Sequence, residues 1–299
     1  MSSLGLNRAL WVRKSYKGDL PVPAGSAYLF YPTTQDLLPL NLFLSLFYLV
    51  MSCEACRTIP PVVPTGYTAN GRYLDIAGIK TSDVTGPETA SVGILGVYDA
   101  FGLASQTLQG ADRLASQLDA LVLVPDFFRG DAAQPAWFSL DPEERSRVLT
   151  KFMGGTAALP QNSEVLIAIM AASKARFTAV QTWGAYGLCW GGKLTVLNSG
   201  PDTPFAATGQ AHPGRLEKVD AERLTIPHIV LASKDEPADV VKEYSQIISG
   251  NGIGGHVETY SSMWHGWMGA RAQLEDEHGC AEYIRGYNTL ASFFKKHLK

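Results

Sequence analysis

The chain has 299 residues, 46% hydrophobic and 18% charged, with a net charge of −3 and an isoelectric point near 6.1. This is the composition of a globular protein with enough chain to bury a sizeable core. The slight acidity excludes the basic footprint of a nucleic-acid binder, and there is no fixed-period repeat or run of like charges.

The first fifty residues differ in character from the rest and read as a poorly ordered or spurious extension. The apolar stretch LLPLNLFLSLFYLVM spans 37–51, short of the roughly 20 residues a membrane-spanning helix needs. It also lies too far from Met1 for a secretion signal. No membrane partner is therefore expected, a membrane or targeting segment being the alternative. The following MSCEACRTIPP looks like the start of a protein, so the domain is expected over 51–299. Cys53 and Cys56 form C-x-x-C, but no second pair accompanies them and no helix pattern follows. They read as structural rather than as a zinc or redox site. With Cys189 and Cys280 they make four cysteines, too few for a disulfide framework, which implies a reducing, cytoplasmic setting.

From about residue 70, strand and helix patterns alternate. SVGILGVYD (91–99) and ALVLVPD (120–126) read as buried parallel strands, with the helical pattern LQGADRLASQLD (108–119) between them. Asp141 and Pro142 mark a helix start over 141–153, and Ser163 is the expected cap of a helix over 163–175. TWGAYGL (182–188) is a strand leading into a turn and another helix. Further strands are expected at 205–212, 227–233 and 256–260, and helices at 237–248 and 281–298. The fold class is thus α/β, a mostly parallel sheet with helices on both faces. In such sheets reactive groups gather at the carboxyl ends of the strands.

One such end carries YGLCWGGK (186–193), with Cys189 at the centre of G-x-C-x-G. Glycines two residues either side permit the sharp strand-to-helix turn that presents a nucleophile. A thiol of ordinary pKa, about 8.5, needs help to ionise. The helix N-terminus supplies part of that field, and a histidine backed by an acid can supply the rest. His265, in the turn-like SSMWHGWMGAR, is the leading base, with Trp264 and Trp267 placed to exclude water. His212, at another strand end, is the alternative. Asp235, just beyond the strand PHIVLAS, is the expected acid, with Glu236 and Asp239 as competitors. The order nucleophile, acid, base is that of the α/β-hydrolase fold.

Five segments in order, VGILGVYDAFGL, LVLVPDFFRGD, YGLCWGGK, LASKDE and WHGWMGAR, resemble the dienelactone hydrolase family of α/β hydrolases, in particular its fungal branch. The resemblance runs from about residue 51 to the C-terminus. It implies a triad of Cys189, Asp235 and His265. It also implies an oxyanion hole from the backbone N–H groups of Trp190 and Ala100, and an accessory acid at Asp99, where bacterial members carry a glutamate near the thiol. Arg271 and Arg145 (with Arg147 beside it) are the candidates for gripping a substrate carboxylate. The expected function is a cofactor-independent and metal-independent hydrolase of a small-molecule ester, lactone or thioester, polyketide-derived substrates included. A rearranging or cyclising enzyme, and a binding protein that kept the fold without catalysis, are the alternatives.

Overall fold

The computed structural model describes residues 58–62 and 66–299. The expectations on residues 1–50, on Met51 and on Cys53 and Cys56 lie outside the described residues. Eight strands form one sheet: β1 (Arg72–Ile76), β2 (Ile79–Thr85), β3 (Val92–Val97), β4 (Leu121–Val124), β5 (Thr182–Leu188), β6 (Ala207–Ala211), β7 (His228–Ser233) and β8 (Gly255–Tyr260). Their spatial order is β1-β2-β4-β3-β5-β6-β7-β8. Strands β3 to β8 pair in parallel, while β1 and β2 form an antiparallel hairpin joined to β4.

That hairpin has no counterpart among the sequence expectations. Its strands, RYLDI and IKTSDVT, mix charge with apolar residues and lack a clean run. The turn between them needs two residues in the left-handed region, supplied by Ala77 (φ 54°) and Gly78 (φ 78°). The Asp75 carboxylate accepts the Gly78 N–H at 2.9 Å and stabilises the reversal.

The helices are α1 (Ser105–Leu118), α2 (Pro142–Gly154), α3 (Leu159–Arg176), α4 (Trp190–Leu197), the short α5 (Lys218–Glu222), α6 (Ala238–Gly250) and α7 (Glu277–His297), with a 3-10 turn at Pro135–Ser139. Asp141 caps α2 as expected, accepting the N–H groups of Glu143 and Glu144. Helix α3 instead starts at Leu159, one turn before the expected cap. Pro160 suits its first turn, and Ser163, inside the helix, accepts a bond from Asn198.

Side-chain alternation shows how the helices sandwich the sheet. A Cβ at Gly184 or Gly209 would meet Phe294 and Leu298, or Leu290, so those faces look toward α7 and the residue just after it. A Cβ at Gly192 of α4 would meet Gln210, which follows Gly209 and so points to the opposite face. The central strands are buried on both faces; β5 and β7 have a single half-buried residue between them, Thr182. That burial explains why they read as continuous apolar runs rather than alternating ones.

Chain direction then does the positioning. Strand β4 lies on one side of β3, and β5 lies on the other, so the winding reverses there. A crevice opens at the carboxyl ends at such a switch point. Asp99 follows β3, Cys189 follows β5, His212 follows β6, Asp235 and Glu236 follow β7, and His265 follows β8. No described helix is long and apolar enough to cross a membrane.

Candidate active site

Cys189 joins β5 to α4 with φ 51° and ψ −110°, a conformation rare for a residue with a side chain. The two flanking glycines make this turn possible. A Cβ at Gly187 would come within 2.0 Å of the Gly191 carbonyl oxygen, and one at Gly191 within 2.2 Å of the Val97 carbonyl oxygen. The turn at Cys189 is therefore pressed both on itself and on β3. Main-chain bonds hold it further: Cys189 N–H donates to Ala211 C=O at 3.2 Å, and Gly214 N–H donates to Cys189 C=O at 2.9 Å. Cys189 is 8% exposed, at the head of α4.

His265 is fully buried, and its Nδ1 lies 2.7 Å from Oε1 of Glu236. The expectation for Asp235 is corrected here. Asp235 Oδ2 accepts the main-chain N–H of His265 at 2.8 Å, not a ring proton. The turn after β7 explains the exchange. Glu236 is folded back into the protein, its other oxygen accepting the Ser233 N–H, which leaves Oε1 facing the imidazole. Asp235 is half-buried and shorter, and reaches only the loop backbone. Both consecutive acids thus hold His265, one by its ring and one by its main chain. The adjacent acidic pair Asp235-Glu236 was the available sequence signal, but spacing does not say which member turns inward.

His212 is also fully buried and packs its ring edge-on against His265, with centroids 5.3 Å apart. No carboxylate hydrogen-bonds either of its nitrogens, so it lacks the acid that a catalytic base of this type needs.

Asp99 is 2% exposed, and each of its oxygens accepts a main-chain N–H: Phe101 to Oδ1 at 2.9 Å and Ala270 to Oδ2 at 2.8 Å. It thereby ties the turn after β3 to the loop after His265. Burial pushes its carboxyl up to about 6; the nearby Cys189 adds to the rise, while the two N–H donors and Arg271 oppose it. The aspartate thus lies within electrostatic reach of the thiol.

Arg271 is buried rather than presented to solvent. Its Nε donates to the Ile59 carbonyl at 2.7 Å, and its guanidinium lies 4.9 Å from the Phe101 ring centroid and 6.0 Å from that of Phe138. Arg145 donates to the Phe138 carbonyl at 3.2 Å. Both arginines thus lie against Phe138, Arg271 near its ring and Arg145 on its carbonyl. Arg147 is exposed and paired with Glu144.

Trp190 N–H is the first of α4 and so has no acceptor within its helix. Ala100 follows Asp99, and its carbonyl is fixed by the Ala133 N–H at 2.9 Å. The Trp190 indole packs among Tyr98, Phe127 and Phe128 and donates to the Ala157 carbonyl. Trp267 does not wall the site: it stacks on Tyr260 at 4.4 Å and abuts Gly286 of α7. Trp264 is half-buried and bonds to the Arg271 carbonyl. Among the described residues no group of three or more His, Cys, Asp or Glu is placed to hold a metal ion.

The sequence model of the dienelactone hydrolase family matches residues 82–298. Two uncharacterized AIM2 family proteins of Schizosaccharomyces pombe are each 31% identical to the chain. One aligns over 246 residues (81% of this chain, 98% of the relative), the other over 232 residues (77% and 92%). Among solved structures, a dienelactone hydrolase-like promiscuous phosphotriesterase from metagenomic libraries superposes with a TM-score of 0.57 at 20% identity. It covers 77% of this chain and 99% of its own. A putative dienelactone hydrolase from Klebsiella pneumoniae gives 0.57 at 16% identity, covering 76% and 98%. At these identities the structural likeness speaks for the fold.

Proposed function

The chain belongs to the dienelactone hydrolase family, and from that premise we propose that it cleaves an ester, lactone or thioester of a small molecule through a cysteinyl acyl-enzyme. The observation that supports the reading is that one sheet carries, at the carboxyl ends of its strands, Cys189 in a strained turn after β5 and, after β8, a buried imidazole held by Glu236. A thiol at a helix head needs a base and a pre-formed pocket for negative charge, and this crevice has candidates for both.

In the proposed reaction the Cys189 thiol loses its proton to His265 and its sulfur attacks the substrate carbonyl carbon. The amides of Trp190 and Ala100 receive the oxyanion. Removing one such donor typically costs about 3–4 kcal/mol of barrier. His265 then returns the proton to the leaving oxygen or sulfur, and the acyl group stays on Cys189. Next it takes a proton from water, whose oxygen attacks the thioester and frees the acid and the thiol. Glu236 accepts a hydrogen bond from Nδ1–H of His265, which keeps the imidazole in one tautomer with Nε2 as the reactive nitrogen. Asp235 fixes the loop that carries the ring. Asp99 opposes thiolate formation in the resting site, so the thiol is charged mainly when substrate and base act together. Arg271 and Arg145 support this wall of the crevice through Phe101 and Phe138.

The test is a panel of lactones, aryl esters and thioesters offered to the wild type and to Cys189→Ala, with mass spectrometry of quenched reactions. Turnover with an acyl adduct on Cys189, absent from Cys189→Ala, supports the reading; turnover that survives in Cys189→Ala sinks it. Reaction in 18O-labelled water separates hydrolysis from cyclisation, because only hydrolysis puts solvent oxygen into the acid product.

A further inference from the structure

Of the histidines at the carboxyl end of the sheet, only one has a place in the chemistry above. His212 lies one strand over from the nucleophile, and no part of its ring reaches solvent. Its main chain is in the left-handed region at φ 36°, uncommon for a residue with a side chain, and its surroundings enforce it. The enforcement is visible. His212 N–H donates to Leu231 C=O at 2.7 Å, and two residues later Gly214 N–H donates to Cys189 C=O. The loop that carries His212 is thus stitched to the nucleophile turn itself.

Neither ring nitrogen of His212 has a hydrogen-bond partner among the described residues. The main-chain carbonyl of His212 itself approaches the ring too poorly aligned for a hydrogen bond, and it is the smallest of the influences on the ring, opposite in direction to the rest. His228, on the next strand and equally buried, has Nδ1 hydrogen-bonded with Thr208 Oγ1 at 2.8 Å and only its Nε2 without a partner among the described residues. A buried polar atom left without a partner is destabilising, and His212 carries two. Burial, His265 and Arg271 together hold its pKa well below the usual histidine value. The ring is therefore neutral at physiological pH, with one N–H donor and one acceptor nitrogen.

We propose that His212 is a specificity-determining residue of this same crevice, its two unpaired nitrogens recognising a neutral hydroxyl or enol group on the substrate beside the scissile carbonyl. A hydroxyl both donates and accepts, so it satisfies the ring completely. A carboxylate only accepts, so it satisfies the donor and leaves the other nitrogen without a partner. A substrate without the oxygen leaves both nitrogens orphaned, and a site built for a hydroxyl discriminates against such analogues more strongly than an apolar pocket can. This inference rests on the hydrolase reading.

Two matched pairs of probes test it: phenyl 3-hydroxybutyrate against phenyl butyrate, and 2-hydroxyphenyl acetate against 2-methylphenyl acetate. The quantity read is the ratio of kcat/KM within each pair, for wild type, His212→Gly and His212→Asn. Glycine and asparagine both accept a positive φ, so both variants keep the loop geometry. The expected result is a wild-type ratio of at least about 20 in one pair. That ratio falls to within a few-fold of one in His212→Gly. It returns in part in His212→Asn, or on adding imidazole to His212→Gly. Turnover with a wild-type ratio near one in both pairs, or a ratio unchanged in His212→Gly, overturns the specificity role and leaves the hydrolase reading standing. No turnover of any of the four esters, with Cys189 never acylated, overturns the hydrolase reading and takes this inference with it.

Discussion

At the scale of single residues, consecutive acids divide one task. Glu236 holds the imidazole and Asp235 holds the main chain of the same histidine. Glu236→Gln is expected to lower kcat about 10²–10³-fold, because an amide that presents its N–H₂ to Nδ1 favours the wrong tautomer. Asp235→Asn keeps an acceptor for the His265 N–H and should cost less than tenfold. Steady-state kinetics on one aryl ester compares the two, and a larger loss in Asp235→Asn would return the orienting role to Asp235. Asp99 makes a second test at this scale. The repulsion that Cys189 exerts on its carboxylate is mutual, so Asp99→Asn should make the thiol react with iodoacetamide several-fold faster at pH 7. An unchanged alkylation rate would show that the two charges do not feel each other.

At the scale of elements, α4 is anchored from behind by a buried ion cluster. Lys193 Nζ lies 2.5 Å from both Glu217 Oε2 and Asp220 Oδ2, and Arg215 also pairs with Glu217. These partners lie on and around α5, so the cluster ties the helix that follows Cys189 to the segment that follows His212 and Gly214. Burial raises the Asp220 carboxyl, and Lys193 opposes that rise. Lys193→Met should destabilise the fold by about 3 kcal/mol, because it leaves Asp220 buried without its counter-charge. The double variant Lys193→Met/Asp220→Leu should recover much of that loss, as read by urea unfolding. A recovery of nothing would mean that the lysine acts through its packing alone. The segment 58–62 has a comparable role at the loop after His265. Val62 N–H donates to Ala270 C=O, Ile59 C=O receives Arg271, and Gln106 reaches across to Val62, Ala270 and Ala272. It braces the loop that carries His265.

For the whole molecule, the buried histidines set how stability responds to acid. His228 is fully buried, and desolvation lowers its pKa from 6.5 to about 3. As pH falls below 6.5 the unfolded chain takes up this proton first, so stability present above pH 6.5 is lost progressively toward pH 3. Asp83 and Asp99, both raised to about 6, act with the opposite sign between about pH 6 and 4. Total stability is therefore a poor readout, and a difference is a better one. His228→Gln keeps an acceptor for Thr208 and has no proton to gain. Between pH 7 and pH 5 the wild type should lose about 2 kcal/mol more than this variant. Parallel pH profiles for the two proteins would show that His228 is not held neutral.

Much of this architecture is local information. The apolar runs of β3 to β7, the Asp141 cap and the glycines around Cys189 follow from neighbours in the chain, because strand burial, capping and a sharp turn each depend on a few consecutive residues. They were enough to place Cys189 and His265 at strand ends and to indicate the family. Long-range packing settled the rest. Which of Asp235 and Glu236 faces the imidazole depends on how the turn after β7 folds under β8, and 265 − 236 = 29 residues separate the partners. That Arg271 is clamped by Ile59 depends on a contact across 212 residues. That Trp267 turns into the core depends on the space left above Gly286. The unpaired nitrogens of His212 are likewise a property of the assembled crevice. No pattern along the chain records a hydrogen bond that folding leaves unmade.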